Sequence, residues 1–432
     1  MKPNLFLLLS ILFIPFLLCG ESHTSFTVKK IGTLPVSYSN EINPGVAGAF
    51  SGISGDKLIV AGGANFPDKK PWEGGLKIFC NRIYIYRINA DSLHLIDRNW
   101  TLPNEVAYGA SVTLPEGVLA IGGNNMEECF NSVRLLKWDI EKNNLVIKDF
   151  PSLPVPLSYV SAVLLDNSVY VVGGSSSPDS KDTGKYFFKL DLSKQGRVEF
   201  TWETLPVFPG AGRIFTVAAS QANRVFLFGG RNISKQNEVT VFNDGLVYDP
   251  KLKEWESIPM VGNTQFQFMA GAAFTSGKSE IVFVGGVSAD LFYQEVKFKK
   301  KLKEAIGLRD SSAIAAAQTA LLNYYTSHPG FSNKILTYNI KTKALVQVGK
   351  FDGYCPVTVN AIPYHRGAII ASGEIKPGTR TPDIIFIKAD DSEDVLNGRF
   401  IIEIVGVLAA FATIIIRVKR QRIKLKSVAK II

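Results

Sequence analysis

The amino-acid sequence predicts an all-β fold, a six-bladed β-propeller, on three observations. Five apolar runs end in a glycine pair and a sixth ends in Ser372-Gly373; the glycine pairs begin at residues 62, 122, 173, 229 and 285. Repeats of about 50 residues with strands around a glycine pair are typical of kelch-type blades. Each interval also divides into short apolar stretches. We therefore predict one propeller over residues 26–390.

Composition supports a folded domain and argues against several functional classes. The chain has 432 residues, 46% of them hydrophobic, which suffices for one large all-β domain. The net charge is +10, but residues 417–430 carry seven basic side chains and no acidic one, and Lys2 adds another. The rest is almost neutral, so no nucleic-acid partner is predicted. The four cysteines form no C-x-x-C pair and the four histidines are isolated, so we predict no metal and no cofactor.

The N-terminus has the pattern of a secretory signal peptide, which we place at residues 1–20. Lys2 precedes an apolar run over residues 5–18, the order of regions found in such signals. A membrane anchor is the alternative, but the run is short for a bilayer span and Pro15 interrupts it. Lipid attachment at Cys19 is a further alternative. The sequence thus predicts export.

The second and third intervals show the strands of a blade most clearly. In the second, we predict strands at residues 108–114, 118–121, 133–138 and 145–150. In the third, they fall at residues 160–165, 169–172, 186–190 and 200–204. Glycine pairs suit the exit of a strand, because neighbouring backbones crowd there.

The last interval contains only three strands, at residues 357–362, 368–371 and 383–388. The N-terminal stretch 26–35 has the character of an outer strand, ending in Leu-Pro as most outer strands do, and it has no inner partners. We predict that this N-terminal strand completes the sixth blade and so leaves few free sheet edges.

An insertion in the fifth blade and a C-terminal apolar segment lie outside the repeat pattern. Residues 288–333 favour two helices over one face of the propeller, as a lid; a solvated decoration is the alternative. Residues 400–416 are apolar except for Glu403 and precede the basic residues 417–432. We predict a single transmembrane helix with a cytoplasmic tail; a buried element of the fold is the alternative.

Chemistry is concentrated after the sixth glycine-pair position. Only there is the pair followed at once by an acid, Glu374, and six residues later by Arg380, with Pro377-Gly378 between them. A carboxylate and a guanidinium on one loop can move a proton and hold an anion. The alternative is that the two side chains pair only to brace the loop.

Several segments resemble a known family. These are Gly45-Val-Ala-Gly-Ala-Phe-Ser-Gly-Ile53, Ala61-Gly-Gly63, Val241-Phe-Asn-Asp244, Met269-Ala-Gly271 and Ser372-Gly-Glu-Ile-Lys-Pro-Gly-Thr-Arg380. Together they are similar to the N-acetylneuraminate epimerase (sialic acid mutarotase) family of bacterial kelch proteins. The order of units is rotated, so the sequence resembles the cyclically permuted branch.

The resemblance implies an isomerase that interconverts the anomers of N-acetylneuraminate. The N-terminal signal and the C-terminal apolar segment predict that it acts on the periplasmic side of a bacterial membrane, anchored by a single span. The resemblance also implies that Glu374 is catalytic, that Arg380 and Arg213 bind substrate, and that the ligand is a small sugar acid. A non-catalytic kelch propeller that binds a glycan or a protein is the alternative. A copper oxidase of the galactose oxidase type is disfavoured, because it needs clustered histidine and tyrosine ligands.

Overall fold

Six β-sheets, one for each interval of the repeat, form the blades of the propeller. The structure is a computed structural model and describes residues 24–35, 43–90, 92–234, 238–262 and 268–390. Residues Thr27–Lys388 form one unit. The other unit, Met1–Phe26 with Ala389–Ile432, is described only near Ser25 and Asp390, which share a backbone hydrogen bond of 2.9 Å. The predicted signal peptide (1–20), transmembrane segment (400–416) and basic tail (417–432) lie outside the described residues.

The first three blades follow strand β1 (Phe26–Thr33) along the chain. Blade 1 contains β2 (Phe50–Ser54), β3 (Lys57–Ala61) and, after the short paired strands β4 (Ala64–Asn65) and β5 (Ile78–Phe79), β6 (Arg82–Asn89) and β7 (Ser92–Thr101). Blade 2 contains β8 (Ala110–Leu114), β9 (Gly117–Ile121), β10 (Val133–Asp139) and β11 (Asn144–Phe150). Blade 3 contains β12 (Ser161–Leu165), β13 (Ser168–Val172), β14 (Phe187–Asp191) and β15 (Trp202–Thr204).

The other three blades carry the additional elements. Blade 4 contains β16 (Val217–Gln221), β17 (Arg224–Phe228) and, after the paired strands β18 (Arg231–Ile233) and β19 (Val239–Val241), β20 (Gly245–Asp249) and β21 (Glu254–Ser257). Blade 5 contains β22 (Val261–Gly262), β23 (Ala272–Ser276), β24 (Glu280–Val284), β25 (Lys334–Asn339) and β26 (Ala344–Lys350). Blade 6 contains β27 (Ile362–Tyr364), β28 (Gly367–Ala371) and, after the paired strands β29 (Glu374–Lys376) and β30 (Thr379–Arg380), β31 (Asp383–Ala389).

Strand β1 lies at the outer edge of blade 6. The strand order of that sheet is β1-β31-β28-β27, so the start of the chain supplies the fourth strand beside the last one. Ser372 adds a second link, because its Oγ accepts a hydrogen bond from the Val46 N–H (2.8 Å) and donates one to the Thr381 carbonyl (2.7 Å). A serine therefore replaces the first glycine of the pair in blade 6, where its side chain links this blade to the segment before β2.

Six residues, one from each blade, form a closed ring of backbone hydrogen bonds around the propeller axis. The N–H of each donates to the carbonyl of its neighbour over 2.6 to 3.4 Å; in ring order the residues are Gly48, Thr358, Ala270, Phe215, Tyr159 and Tyr108. All six have a positive φ, between +53° and +67°. This ring, defined here as the axial ring, closes the six blades.

The axial ring corrects the predicted starts of the inner strands. Residues 108–109 and 357–361 were expected in strands, whereas β8 begins at Ala110 and β27 at Ile362. Tyr108 and Thr358 lie in the left-handed region, where a residue cannot continue a β ladder. Their backbone groups bond to neighbouring ring residues instead.

The apolar core lies between neighbouring blades. Between blades 4 and 5, Phe228 packs edge to face against Phe283 with ring centroids 4.8 Å apart, and Phe268 lies 5.4 Å from Phe228. All three side chains are fully buried. Burial of an aromatic side chain contributes roughly 1.5 to 3 kcal/mol, so these interfaces hold each blade at a fixed position around the axis.

Two α-helices join β24 to β25 in blade 5, within the segment expected to be helical. They are α1 (Ala289–Leu308) and α2 (Ser311–Ser327). Their first turns are capped by Ser288, which accepts from the Leu291 N–H (3.4 Å), and by Asp310, which accepts from the Ala313 N–H (2.9 Å). Within the described ranges, no helix is long and apolar enough to span a bilayer.

Candidate active site

Loops that follow the glycine pairs, the axial ring and the two helices together line a cavity of about 360 Å³. The ring contributes Tyr108, Tyr159, Phe215, Ala270 and Thr358 to its wall. The same ring residues line a narrower axial channel of about 120 Å³ whose wall is made mainly of small residues. The axial ring therefore lies between the ligand-sized cavity and the narrower axial channel.

Glu374 and Arg380 are brought together by a short hairpin. Strands β29 and β30 pair Glu374 directly with Arg380, and Pro377-Gly378 makes the turn between them. The Arg380 Nη1 donates to Glu374 Oε1 over 2.9 Å, and the Gly378 N–H donates to the same oxygen over 2.8 Å. No described residue donates to the other carboxylate oxygen, Oε2. One oxygen is thus fixed and the other is available.

Burial keeps this ion pair largely away from water. The Arg380 side chain is 4% exposed and that of Glu374 is 18% exposed. Burial alone would lower the pKa of Arg380, but the Glu374 carboxylate and Tyr108 outweigh it and raise the pKa above its usual value. The guanidinium lies 4.7 Å from the Phe66 ring. Arg380 therefore stays charged and supplies a counter-ion to Glu374.

Arg213, the third expected site residue, does not line this cavity. Its Nη1 donates to Asp244 Oδ1 (2.7 Å) and its Nη2 to Oδ2 (3.3 Å), and Nη1 also donates to the Gly229 carbonyl (3.2 Å). The guanidinium lies 4.0 Å from the Phe242 ring. The structure brings Glu374 and Arg380 together. It places Arg213 in a structural contact, defined here as the brace, that joins Asp244 to the Gly229 carbonyl in blade 4.

Arg231 lines the cavity and was not anticipated from the sequence. It follows the glycine pair of blade 4 as Glu374 follows Ser372-Gly373 in blade 6, and each forms an isolated β-bridge, to Ile214 and to Val357 respectively. Comparing the residue after each pair could have found it; those residues are Ala64, Asn124, Ser175, Arg231, Val287 and Glu374. Burial lowers the pKa of Arg231 to about 10, so it is a cation at neutral pH.

Helices α1 and α2 cover one side of the cavity. Tyr325 donates its hydroxyl to Glu295 Oε1 (2.9 Å) and stacks on Trp72 of blade 1 with ring centroids 4.9 Å apart. Burial, and then the Glu295 carboxylate, raise the pKa values of Tyr324 and Tyr325. Burial lowers the pKa of His328. The helical insertion therefore presents polar side chains to the cavity together with one ion pair, Lys299–Glu295.

Comparison with known proteins agrees with this architecture. A model of the N-acetylneuraminate epimerase family matches residues 19–147 and 150–396, most of the chain. The chain belongs to this family. Among curated relatives, it is similar to the N-acetylneuraminate epimerase of Haemophilus influenzae (strain 86-028NP), at 25% identity over 54% of this chain and 58% of that protein. The epimerase of Salmonella typhimurium is 24% identical over 55% and 57% of the two chains.

This member of the epimerase family spans less than two thirds of those relatives in sequence. The fold likeness is more extensive. The solved structure of YjhT matches with a TM-score of 0.56 and 14% identity, covering 84% of this chain and 98% of that one. At this identity the match concerns the fold, a six-bladed propeller.

Charges in the cavity of this epimerase-family chain are unevenly distributed. Four cationic side chains line it, Lys77, Arg231, Lys299 and Arg380, against the two acids Glu295 and Glu374. A cleft with excess positive charge attracts anions. Over the described ranges, no cluster of three His, Cys, Asp or Glu side chains is arranged to hold a metal, and Cys80, Cys129 and Cys355 are free thiols. The cavity suits an organic anion.

Proposed function

We propose that this protein interconverts the anomers of N-acetylneuraminate, a 2-keto sugar acid, by acid-base opening of the sugar ring. The observation that carries the proposal is the state of Glu374: two donors hold its Oε1, while Oε2 faces no donor from the described residues. A carboxylate oriented in this way inside a ligand-sized cavity can both accept and return a proton. The names of the relatives supply the sugar.

The reaction needs one group that moves a proton between two oxygens of the substrate. Glu374 accepts the proton of the anomeric hydroxyl as the bond between the anomeric carbon and the ring oxygen breaks. The ring oxygen takes up a proton, which the same carboxyl group can deliver, and a ketone results. Rotation about the adjacent carbon–carbon bond turns the other face to the hydroxyl, and closure by the reverse transfers gives the second anomer. No atom is gained or lost.

Arg380 acts in this scheme through Glu374. Its Nη1 is committed to Oε1, so it keeps the carboxylate oriented and compensates its charge. The substrate-binding role first expected of Arg213 is not retained, because its side chain is paired with Asp244 away from the cavity.

The size and covering of the cavity support a sugar-acid ligand. Ligand pockets typically range from about 300 to 1,000 Å³, and this one measures about 360 Å³. Tyr324, Tyr325 and His328 of the helical insertion line it beside Glu374. Covering a site in this way excludes water and strengthens the electrostatic interactions inside it.

We also propose that the reaction takes place outside the cytoplasmic membrane. The support is in the sequence, namely the signal-like residues 1–20 and the apolar residues 400–416 followed by basic residues. Protease added to intact spheroplasts should then digest the propeller and spare the tail. Protection of the propeller would contradict this location.

A direct assay tests the proposed reaction. A crystalline single anomer of N-acetylneuraminate is dissolved, and proton NMR follows the approach to anomeric equilibrium with and without the purified protein. We expect the protein to accelerate that approach. Saturable binding of the sugar with no acceleration would instead identify a non-catalytic glycan-binding propeller.

A further inference from the structure

Three arginines of the propeller are almost completely buried, and they differ in their partners. Arg213 is paired with Asp244 and Arg380 with Glu374. No carboxylate of the described residues lies within ion-pair distance of Arg231, which is 8% exposed. A buried charge without a counter-ion is unfavourable. Arg231 is therefore the one of these three arginines without a directly paired carboxylate, and Glu295 of α1 acts on it only from beyond ion-pair distance.

The Arg231 guanidinium is held in place and presents a free donor. Its Nη2 donates to Ser180 Oγ over 2.8 Å, and the group lies 5.3 Å from the Phe215 ring and 5.5 Å from the Phe292 ring. Its Nη1 is buried and has no hydrogen-bond partner in the described structure. Arg213 and Arg380 also have one buried nitrogen each without a partner, but there it is Nε and a paired carboxylate compensates the charge.

The repeat of the fold places Arg231 and Glu374 at corresponding points of two blades. Arg231 follows the glycine pair of blade 4 and Glu374 follows the corresponding Ser-Gly of blade 6. Both form a β-bridge to the residue before an axial-ring residue, and both line the cavity. Val287 holds the same sequence position in blade 5, between them. The cavity is thus bordered on blade 4 by a cation without a directly paired carboxylate, and on blade 6 by the proposed proton-transfer group.

We infer that Arg231 binds the carboxylate of the substrate and makes the site selective for sugar acids over neutral sugars. This inference rests on the proposed function for the identity of the sugar. In a 2-keto sugar acid, the carboxylate and the anomeric hydroxyl share one carbon, so holding the first fixes the position of the second. An arginine is suited to this, because its planar fork matches both carboxylate oxygens.

Binding of a sugar that cannot open its ring tests the inference separately from catalysis. The probes are the 2-O-methyl glycoside of N-acetylneuraminate and the neutral methyl ester of that glycoside, titrated by calorimetry into the full-length protein. We expect the wild type to prefer the acid over the ester by about 10- to 100-fold, as expected for hydrogen bonds to a charged group. Arg231→Met should remove this preference, and Arg231→Lys should retain part of it.

A surface arginine offers the matched control. Arg224 is 45% exposed and paired with Asp249, so Arg224→Met should leave the ratio of acid to ester affinity unchanged. An unchanged ratio in a folded Arg231→Met protein would overturn the inference, as would failure of the wild type to bind the acid glycoside. If Arg231→Met does not fold, the ratio in Arg231→Lys decides in the same way.

The two proposals fail in different experiments. If Arg231 governs the preference for the acid glycoside but the wild type does not accelerate anomer exchange, the carboxylate site stands and the mutarotase proposal falls. If the wild type accelerates exchange and Arg231→Met keeps the wild-type affinity ratio, the reaction stands and this role of Arg231 falls.

Discussion

Two buried arginines of the propeller each pair with a carboxylate, and the two pairs have the same chemistry and different geometry. In the Arg213–Asp244 pair, two nitrogens reach two oxygens, the arginine also bonds the Gly229 carbonyl, and the acid is 46% exposed. In the Arg380–Glu374 pair, the arginine and a backbone N–H converge on one oxygen, and the acid is 18% exposed. In the first pair, both carboxylate oxygens accept a hydrogen bond from the arginine. In the second pair, Oε2 of Glu374 accepts none from the described residues, and Glu374 lines the cavity.

Placement, and not residue type, separates a structural ion pair from one that can take part in chemistry. Arg213 lies in the connection before the inner strand of blade 4, where its guanidinium ties together two loops of that blade. Arg380 lies on a hairpin that faces the cavity. We expect proton transfer to and from the substrate only at the second pair, and substitutions in the two pairs test that contrast.

The largest difference should come from neutralising each acid in turn. Glu374→Gln keeps an acceptor for Gly378 and Arg380 but cannot take a proton, so we expect the acceleration of anomer exchange to fall by about 10² to 10⁴. Asp244→Asn should leave the rate unchanged. Proton NMR of anomer exchange measures both, with circular dichroism as a check on folding. Near-normal exchange by a folded Glu374→Gln protein would remove this residue from the mechanism.

Replacing the arginine of the cavity should have the next largest effect. Arg380→Met removes one of the two donors that orient Glu374 and its counter-charge, and a charge-assisted hydrogen bond is stronger than a neutral one. We expect kcat to fall by about 10- to 100-fold, from the roughly 1.5 to 3 kcal/mol of such a bond. Arg380→Lys should restore part of the rate. Equal rates for Arg380→Met and the wild type would show that Gly378 alone orients the carboxylate.

The arginine of the brace should influence stability and not rate. Arg213→Met removes the bonds to Asp244 and Gly229, but the half-exposed Asp244 can be hydrated, which limits the cost. We expect the free energy of unfolding to fall by about 1 to 3 kcal/mol, with kcat per folded molecule unchanged. Urea unfolding followed by fluorescence measures the first quantity. A loss of kcat without a loss of stability would reverse the assignment.

The smallest effect should come from loosening the cover over the Arg380–Glu374 pair. Trp72 stacks on Tyr325 of α2, and aromatic pairs contribute about 0.5 to 1.5 kcal/mol beyond their burial. Trp72→Ala should therefore raise KM by about 2- to 10-fold, the fold-change that this free energy gives. Trp255→Ala, at the contact of blades 3 and 4, is the control and should leave KM unchanged. An unaffected KM in Trp72→Ala would show that the helices cover the cavity without this contact.

The features that depend on residues close together in the chain could be predicted from the sequence alone. The six-bladed fold follows from the glycine pairs and the short apolar stretches, because each blade is a local meander of strands. The helical insertion in blade 5 was also predictable, since helix formation depends on residues a few positions apart. The Glu374–Arg380 pair belongs to the same class: a turn at Pro377-Gly378 brings residues six apart into one hairpin.

The features that depend on closure of the six blades around the axis could be seen only in the tertiary structure. Residues 108 and 358 resemble strand residues locally, yet ring closure turns their backbones toward the neighbouring blades in the axial ring. Arg213 and Arg231 are both single arginines of blade 4, one before its inner strand and one after its glycine pair, and only the three-dimensional arrangement assigns the first to Asp244 and the second to the cavity. The reason is physical: Arg213 finds its partner within blade 4, whereas the surroundings of Arg231 come from segments far apart in sequence, and their mutual position exists only once the blades have closed around the axis.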